Sequence, residues 1–515
     1  MLARRLGDKL ARVKVGWVEA VLSSRTAALL GIGLGLCVGL WAQAPARAAE
    51  AGLVEPDAAL EVALERSLEA RALAGASVAA LVVDEVSGRV LYARSPDRAL
   101  IPASNIKVLT AVAALRHFGP SHRFVTRVHA DAMPDAEGAV ETLFVVGGGD
   151  PGLTSEDFWR LAADLRQAGL RRVRGDLVID DSLFDGESWH PSWVPITARA
   201  YHAPVGALTV NYGAFSVAVS AGGSVGDPVQ VSVDPPLPFF RVVNQGQTRS
   251  SRSTRRAVVD RRSGKGVEEV VIAGSWPLGD ARTYYRSVLD PAAYAAHVLQ
   301  LQLESVGIDV EGSVRRAYLP EDRPVLLAFE GRPLSDVVHR FLKFSSNPTG
   351  EALVKALAAD GDPPGSWKKG TAAVRRELEA MGLPIALYQQ VDGSGLSRRN
   401  RVTPRLLVEA LRQGRRSFRY GAELVAALPI GGADGTLERR AEVAGPRVRA
   451  KTGLLSGVTG LSGFAQRPDG SRAVFSILTN GVRDVGSAMD AVDAFAAAIV
   501  ESGAAALVQE APSSP

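Results

Sequence analysis

Between residues 124 and 319 the chain changes texture, and this change restricts its possible folds more than any other feature. Short alternating or β-branched runs there (124–129, 142–146, 177–180, 229–233 and 267–273) are punctuated by Gly, Pro, Asp and Ser, as strands closed by turns are. Helical stretches at 155–168 and 291–306 interrupt and close the section, and the arginine-rich run 245–265 reads as a surface loop. The flanks differ. Apolar periodicity predicts helices over 56–70, 106–118, 334–344, 351–359, 371–381, 404–413 and 487–501. Strands are expected at 77–83 and 89–92 before the insertion, and at 447–452, 461–466 and 473–478 after it. Flanks of one texture around a middle of another imply a split α/β domain carrying a β-rich insertion of one or two small domains. The expected boundaries are 49–123 and 320–503 for the split domain, 124–319 for the insertion and 504–515 for a frayed tail.

Residues 1–48 follow a different logic. A basic stretch (Arg4, Arg5, Lys9, Arg12, Lys14, Arg25) precedes an apolar run from 27 to 41 and small-residue sites ending Ala46-Arg47-Ala48. That order is a secretory signal. The apolar run falls short of the about 20 residues that span a bilayer, so cleavage near Ala48 is the expectation and retention as an anchor the alternative. Without these residues the chain has 52 basic and 53 acidic residues, a net charge of −1 against +4 for the whole. The apparent basicity is therefore a targeting feature and excludes a nucleic-acid footprint. The lone Cys37 leaves with the leader, and Leu36 before it argues against a lipoprotein site. Thiol catalysis and zinc–thiolate sites are excluded. The seven histidines show no H-x-x-x-H spacing, so no metal and no cofactor is expected.

Three short motifs carry chemistry. Ser104-Asn105-Ile106-Lys107 is an S-x-x-K at a helix start. Three residues apart on a helix, a nucleophilic hydroxyl and its base share a face, and the helix N-terminus offers N–H groups to a developing oxyanion. A second copy, Ser366-Trp367-Lys368-Lys369, lies in a Gly/Pro-rich turn before a polar helix and is the decoy. Ser345-Ser346-Asn347 is an S-x-N whose hydroxyl can relay a proton and whose amide can bind a peptide group. Lys451-Thr452-Gly453, on an expected strand, offers a cation and a hydroxyl to a carboxylate, and its glycine permits close backbone approach.

In this order the three match the motif set of β-lactamases and penicillin-binding proteins. The segments Val391-Asp392-Gly393-Ser394-Gly395-Leu396-Ser397-Arg398-Arg399-Asn400, Gly432-Ala433-Asp434-Gly435-Thr436-Leu437, Gly149-Asp150-Pro151 and Asp180-Asp181-Ser182-Leu183-Phe184 sharpen the match. With them the chain resembles the D-alanyl-D-alanine carboxypeptidase/endopeptidase family of low-molecular-mass penicillin-binding proteins over nearly its whole length after the leader.

The resemblance implies a penicillin-binding/β-lactamase-like transpeptidase fold, with an antiparallel sheet flanked by helices. It implies an acyl-enzyme on Ser104 with Lys107 as base, Ser345 passing the proton to the leaving amine, and Asn347 holding the substrate amide. Lys451 would supply charge and Thr452 bind the terminal carboxylate beside Gly453. The backbone N–H groups of Ser104 and Leu454 would form the oxyanion hole, and Arg398 would contact the distal stem peptide. The implied partners are peptidoglycan stem peptides and inhibitory β-lactams, outside the inner membrane, with loose membrane or cell-wall association possible. Two departures bear on substrate preference: Leu454 replaces the family's usual hydroxyl residue, and Pro348-Thr349-Gly350 precedes Glu351 where an alanine is more common. A serine β-lactamase and a peptidoglycan-binding protein with a fading site are the alternatives. Trp189, His190 and Trp193 read as packing more readily than as a peptide groove.

Overall fold

The structure, a computed structural model, describes residues 58–501; the expected leader and tail lie outside the described residues. The Ser77–Asp84 strand explains the layering. Val78, Ala80 and Val82 are buried on one side, and Ala79, Leu81 and Val83 on the other. A strand apolar on both faces must be covered on both. It lies inside a five-stranded, wholly antiparallel sheet ordered Val448–Leu455, Val458–Gln466, Arg472–Asn480, Ser77–Asp84, Val90–Arg94.

Helices Ala58–Leu68 and Val485–Glu501 close the Val78 face. The Ala79 face packs on Lys107–Phe118 and Pro404–Arg416. The first of these is buried at every position from Lys107 to Leu115, among the helices Leu334–Phe344, Asn347–Ala359 and Trp367–Ala380. The Ser104-to-Lys107 motif thus opens the central helix of an α/β/α sandwich.

A separate apolar cluster holds the strand-rich middle together around the helices Ser155–Gln167 and Pro291–Ser305. One five-stranded sheet there runs Val314–Arg316, Leu177–Asp180, Leu143–Val146, Arg123–Ala130, Val325–Pro333. Three-stranded sheets complete the region, one of them Ala281–Ser287, Ala214–Ser220, Gln230–Asp234.

The expectation of a surface loop over 245–265 is corrected: Phe240–Arg249 and Arg256–Ser263 are strands on either side of Glu268–Pro277. Of the ten residues in Phe240–Arg249 only Gly246 and Thr248 are buried, so the strand carries no apolar alternation to read. Arg241 and Arg262 flank Glu269 on the neighbouring strand, and this cross-strand pairing satisfies the charges.

Candidate active site

The turn before the central helix is pressed against the sheet edge. A 3₁₀ turn, Ala103–Ile106, carries Ser104, and Ala103 holds a left-handed φ of 47°. That backbone costs an L-residue about 1–2 kcal/mol and persists only where its surroundings impose it. Gly453 is one such surrounding: a Cβ there would stand 2.3 Å from Asn105 Nδ2 and 2.7 Å from the Pro102 carbonyl oxygen. Gly395 (φ 87°) is another, since a Cβ would lie 2.0 Å from the Ala103 carbonyl oxygen. The glycines of two distant motifs therefore make room for the turn that carries Ser104.

Lys107 is fully buried, and its Nζ has three partners: Ser104 Oγ at 2.9 Å, Asn347 Oδ1 at 2.8 Å and the Ser394 carbonyl at 2.6 Å. Burial pushes its pKa down to about 7, while the carboxylates of Glu351 and Asp392 pull the other way. Lys451 is fully buried as well; burial first, and then the like charge of Lys107, drive it well below the ordinary lysine value. With its pKa near 7, Lys107 has its neutral form well populated near neutral pH. A neutral amine has two N–H bonds. With those held by Asn347 Oδ1 and the Ser394 carbonyl, its lone pair faces Ser104 Oγ, ready to take the hydroxyl proton.

The support beneath Lys107 lies in residues to which the motif spacing gave no role. Glu351, buried, accepts N–H bonds from Gly393 (2.7 Å), Ser394 (2.8 Å) and the Trp367 ring (2.7 Å). It thereby orients the Ser394 peptide whose carbonyl receives Lys107. Burial, then the neighbouring Asp392, raises its pKa to about 7. Asp392 accepts from Gly395, Ser397, Asn400 and the Trp193 ring at 2.6–3.0 Å. The sequence signal for Glu351 is a charge four residues after Asn347 in a helix that is otherwise apolar but for Lys355 over its last eight residues. Trp193 had none. It packs, as expected, while its ring N–H reaches the Asp392 carboxylate.

Asn347 is the first residue of its helix, and Ser345, left-handed at φ 57° and ψ 38°, ends the preceding one. The Asn347 amide nitrogen donates to the Tyr201 carbonyl at 3.0 Å, so the inserted segment reaches the site directly. Ser345 and Asn347 line one cavity together. Lys451 donates to the Thr452 carbonyl at 2.9 Å, and the Thr452 hydroxyl donates to that of Thr436 at 2.8 Å. Leu454 is 51% exposed on the edge strand. Arg398, exposed, gives two hydrogen bonds to the Ser456 carbonyl (2.8 and 3.0 Å), which ties its loop to the hairpin after Lys451-Thr452-Gly453. Ser366 caps the helix Trp367–Ala380, accepting the Lys369 N–H, and is structural.

Residues 60–499 match the family model of D-Ala-D-Ala carboxypeptidase 3 (S13). The chain belongs to that family. It is 37% identical over 435 residues to a D-alanyl-D-alanine carboxypeptidase of Actinomadura sp. (strain R39), covering 81% of this chain and 80% of that one. It is 28% identical over 391 residues to the D-alanyl-D-alanine carboxypeptidase DacB of Haemophilus influenzae, covering 74% and 81%. The crystal structure of penicillin-binding protein 4 (dacB) from Haemophilus influenzae superposes with a TM-score of 0.73 at 26% identity, over 84% of this chain and 97% of that one. The same protein in complex with a β-lactam superposes at 0.68. This S13 chain is accordingly a hydrolase of the serine-type D-Ala-D-Ala carboxypeptidase class with the penicillin-binding fold.

Proposed function

We propose that Ser104 is the nucleophile of a peptidase acting on the D-Ala-D-Ala ends or cross-links of peptidoglycan stem peptides. The observation that carries this reading is the Lys107 amine, its two other directions fixed and its third aimed at Ser104 Oγ 2.9 Å away. Neutral Lys107 takes the Ser104 proton as Oγ bonds to the carbonyl carbon of the penultimate D-alanine. The N–H groups of Ser104 and Leu454 hold the resulting oxyanion. Collapse breaks the C–N bond, and the leaving amine collects the proton from Lys107 through Ser345 Oγ. Thr452 and Lys451 bind the departing carboxylate, Asn347 the substrate amide, and Arg398 the stem peptide. Water, deprotonated by the same lysine, then releases the acyl group and restores Ser104.

The same reading places the enzyme beyond the inner membrane after loss of residues 1–48, at the cell wall, with β-lactams as acylating inhibitors. It divides the chain into a split acyl-transferase domain and an insertion, expected at 124–319; because Val325–Pro333 pairs with Arg123–Ala130, the far boundary of the insertion is better drawn near 333. Intact-mass measurement of residues 49–515 after benzylpenicillin tests it. A lasting penicilloyl adduct that disappears in Ser104→Ala is the expected result. Rapid hydrolysis without a lasting adduct points to a β-lactamase, and neither adduct nor hydrolysis to a binding protein.

A further inference from the structure

Beside Asn347 opens a cavity of about 810 Å³, more room than a dipeptide end requires. It runs from Ser345 and Asn347 onto the inserted strands Ala214–Ser220 and Ala281–Ser287. Three aromatic rings on its walls are left in water: Phe344 is 67% exposed, Tyr285 64% and Tyr201 43%. Exposed aromatic faces gathered around one hollow mark a binding surface more than a packing defect. Among them stand hydrogen-bonding groups, the Asp234 carboxylate, the Gln302 amide and the Arg340 guanidinium. The last makes no ion pair among the described residues, though its charge reaches Glu156 on the same wall.

Flat rings interleaved with planar polar groups suit a sugar, whose apolar pyranose face stacks while its hydroxyl and acetamido edges hydrogen-bond. A peptide has less use for the hollow, because the edge strand Val448–Leu455, bonded to Pro429 and Gly431 only at Val448 and Ala450, offers it an open backbone beyond Ala450. We propose that this cleft binds the glycan strand of peptidoglycan, a chain of β-1,4-linked N-acetylated hexosamines. The enzyme would then work on stems still attached to polymer in preference to free peptides. The proposal rests on the peptidase reading and names the substrate as the polymer. Continuity supports it: the wall that begins at Tyr285 ends at Ser345 and Asn347, so a bound strand would present its stem peptide at Ser104.

The experiment uses the full chain. Ser104→Ala protein is titrated with the β-1,4-linked tetramer of N-acetylglucosamine by calorimetry, with and without Tyr285→Ala. Saturable binding weakened about five- to tenfold by Tyr285→Ala is expected, the worth of one stacked ring. In the chain retaining Ser104, Tyr285→Ala should slow D-alanine release from intact peptidoglycan by a similar factor, and leave penicillin acylation and release from a free stem peptide unchanged. A tetramer that does not bind overturns the proposal, as does a variant that keeps the parent ratio of polymer to peptide turnover or loses both equally. If the parent takes no penicillin and cleaves no peptide, the peptidase reading fails by itself, and the tetramer titration still decides the cleft.

Discussion

The two walls that meet at Ser104 are built on opposite terms. On the helix side, Lys107, Glu351, Asp392, Ser394 and Asn400 are all buried, and their polar groups are saturated: four donors converge on Asp392 and three on Glu351. On the strand side the burial stops after Gly453: Lys451 and Thr452 are buried, but Leu454 stands half in water, and Arg398, from the loop beside it, hangs in solvent from the Ser456 carbonyl. A buried polar network loses heavily when one member is left unpaired, whereas an exposed contact is replaced by water at little cost. Change is therefore costly at the buried residues of both walls, and the exposed end of the strand, from Leu454 on, is where preference for a substrate can drift. Leu454 lies where that drift is cheapest.

Substitutions can break this contrast. The largest effect is expected at Ser104→Ala, which should slow acylation by at least about a thousandfold. Ser366→Ala should leave acylation intact and cost about 1 kcal/mol of stability as a lost helix cap, readable by thermal melting. Loss of acylation in the Ser366 variant would move the nucleophile.

Next comes Glu351→Gln, which should slow penicillin acylation by about ten- to a hundredfold, the worth of charge-assisted hydrogen bonds. It should also shift the pH profile. In the parent, acylation should climb as pH rises through about 7, where Lys107 loses its proton. Glu351 raises the Lys107 pKa, so its removal moves the midpoint to lower pH. Stopped-flow acylation between pH 5 and 9 checks both, and a flat parent profile would remove Lys107 as the base. The smallest effect is expected at Leu454→Thr: a change within about tenfold in kcat/KM for a D-Ala-D-Ala peptide, since one solvent-reachable hydrogen bond is gained. A hundredfold change there would mean that the two walls do not differ as described.

What the sequence made legible follows the range of the interactions. Ser104 and Lys107 are three residues apart, and the strand Val448–Leu455 announces itself by its own pattern. Both are local signals. Trp193 and Tyr201 reach the site from the inserted segment, and nothing in their neighbourhood records that Asp392 or Asn347 will be there. Glu351 shows only as one of two charges, with Lys355, in a mainly apolar helix. The strands Phe240–Arg249 and Arg256–Ser263 escaped because they are the outer, mostly exposed strands of their sheet, and cross-strand charge pairing replaces the alternation that normally betrays a strand. The five-stranded central sheet was readable because both its faces are dry.

That sheet pairs Ser77 with Asn480, so its interior strand comes from the beginning of the described chain and the neighbour it needs from the end. The Ala103–Ile106 turn leans on Gly453, and Gly453 belongs to a strand held by the same late hairpin. A chain still emerging can shape its inserted region first, but it has no poised serine until its last strands arrive. A copy cut short before its last strands should accordingly lack a poised serine and take no penicillin.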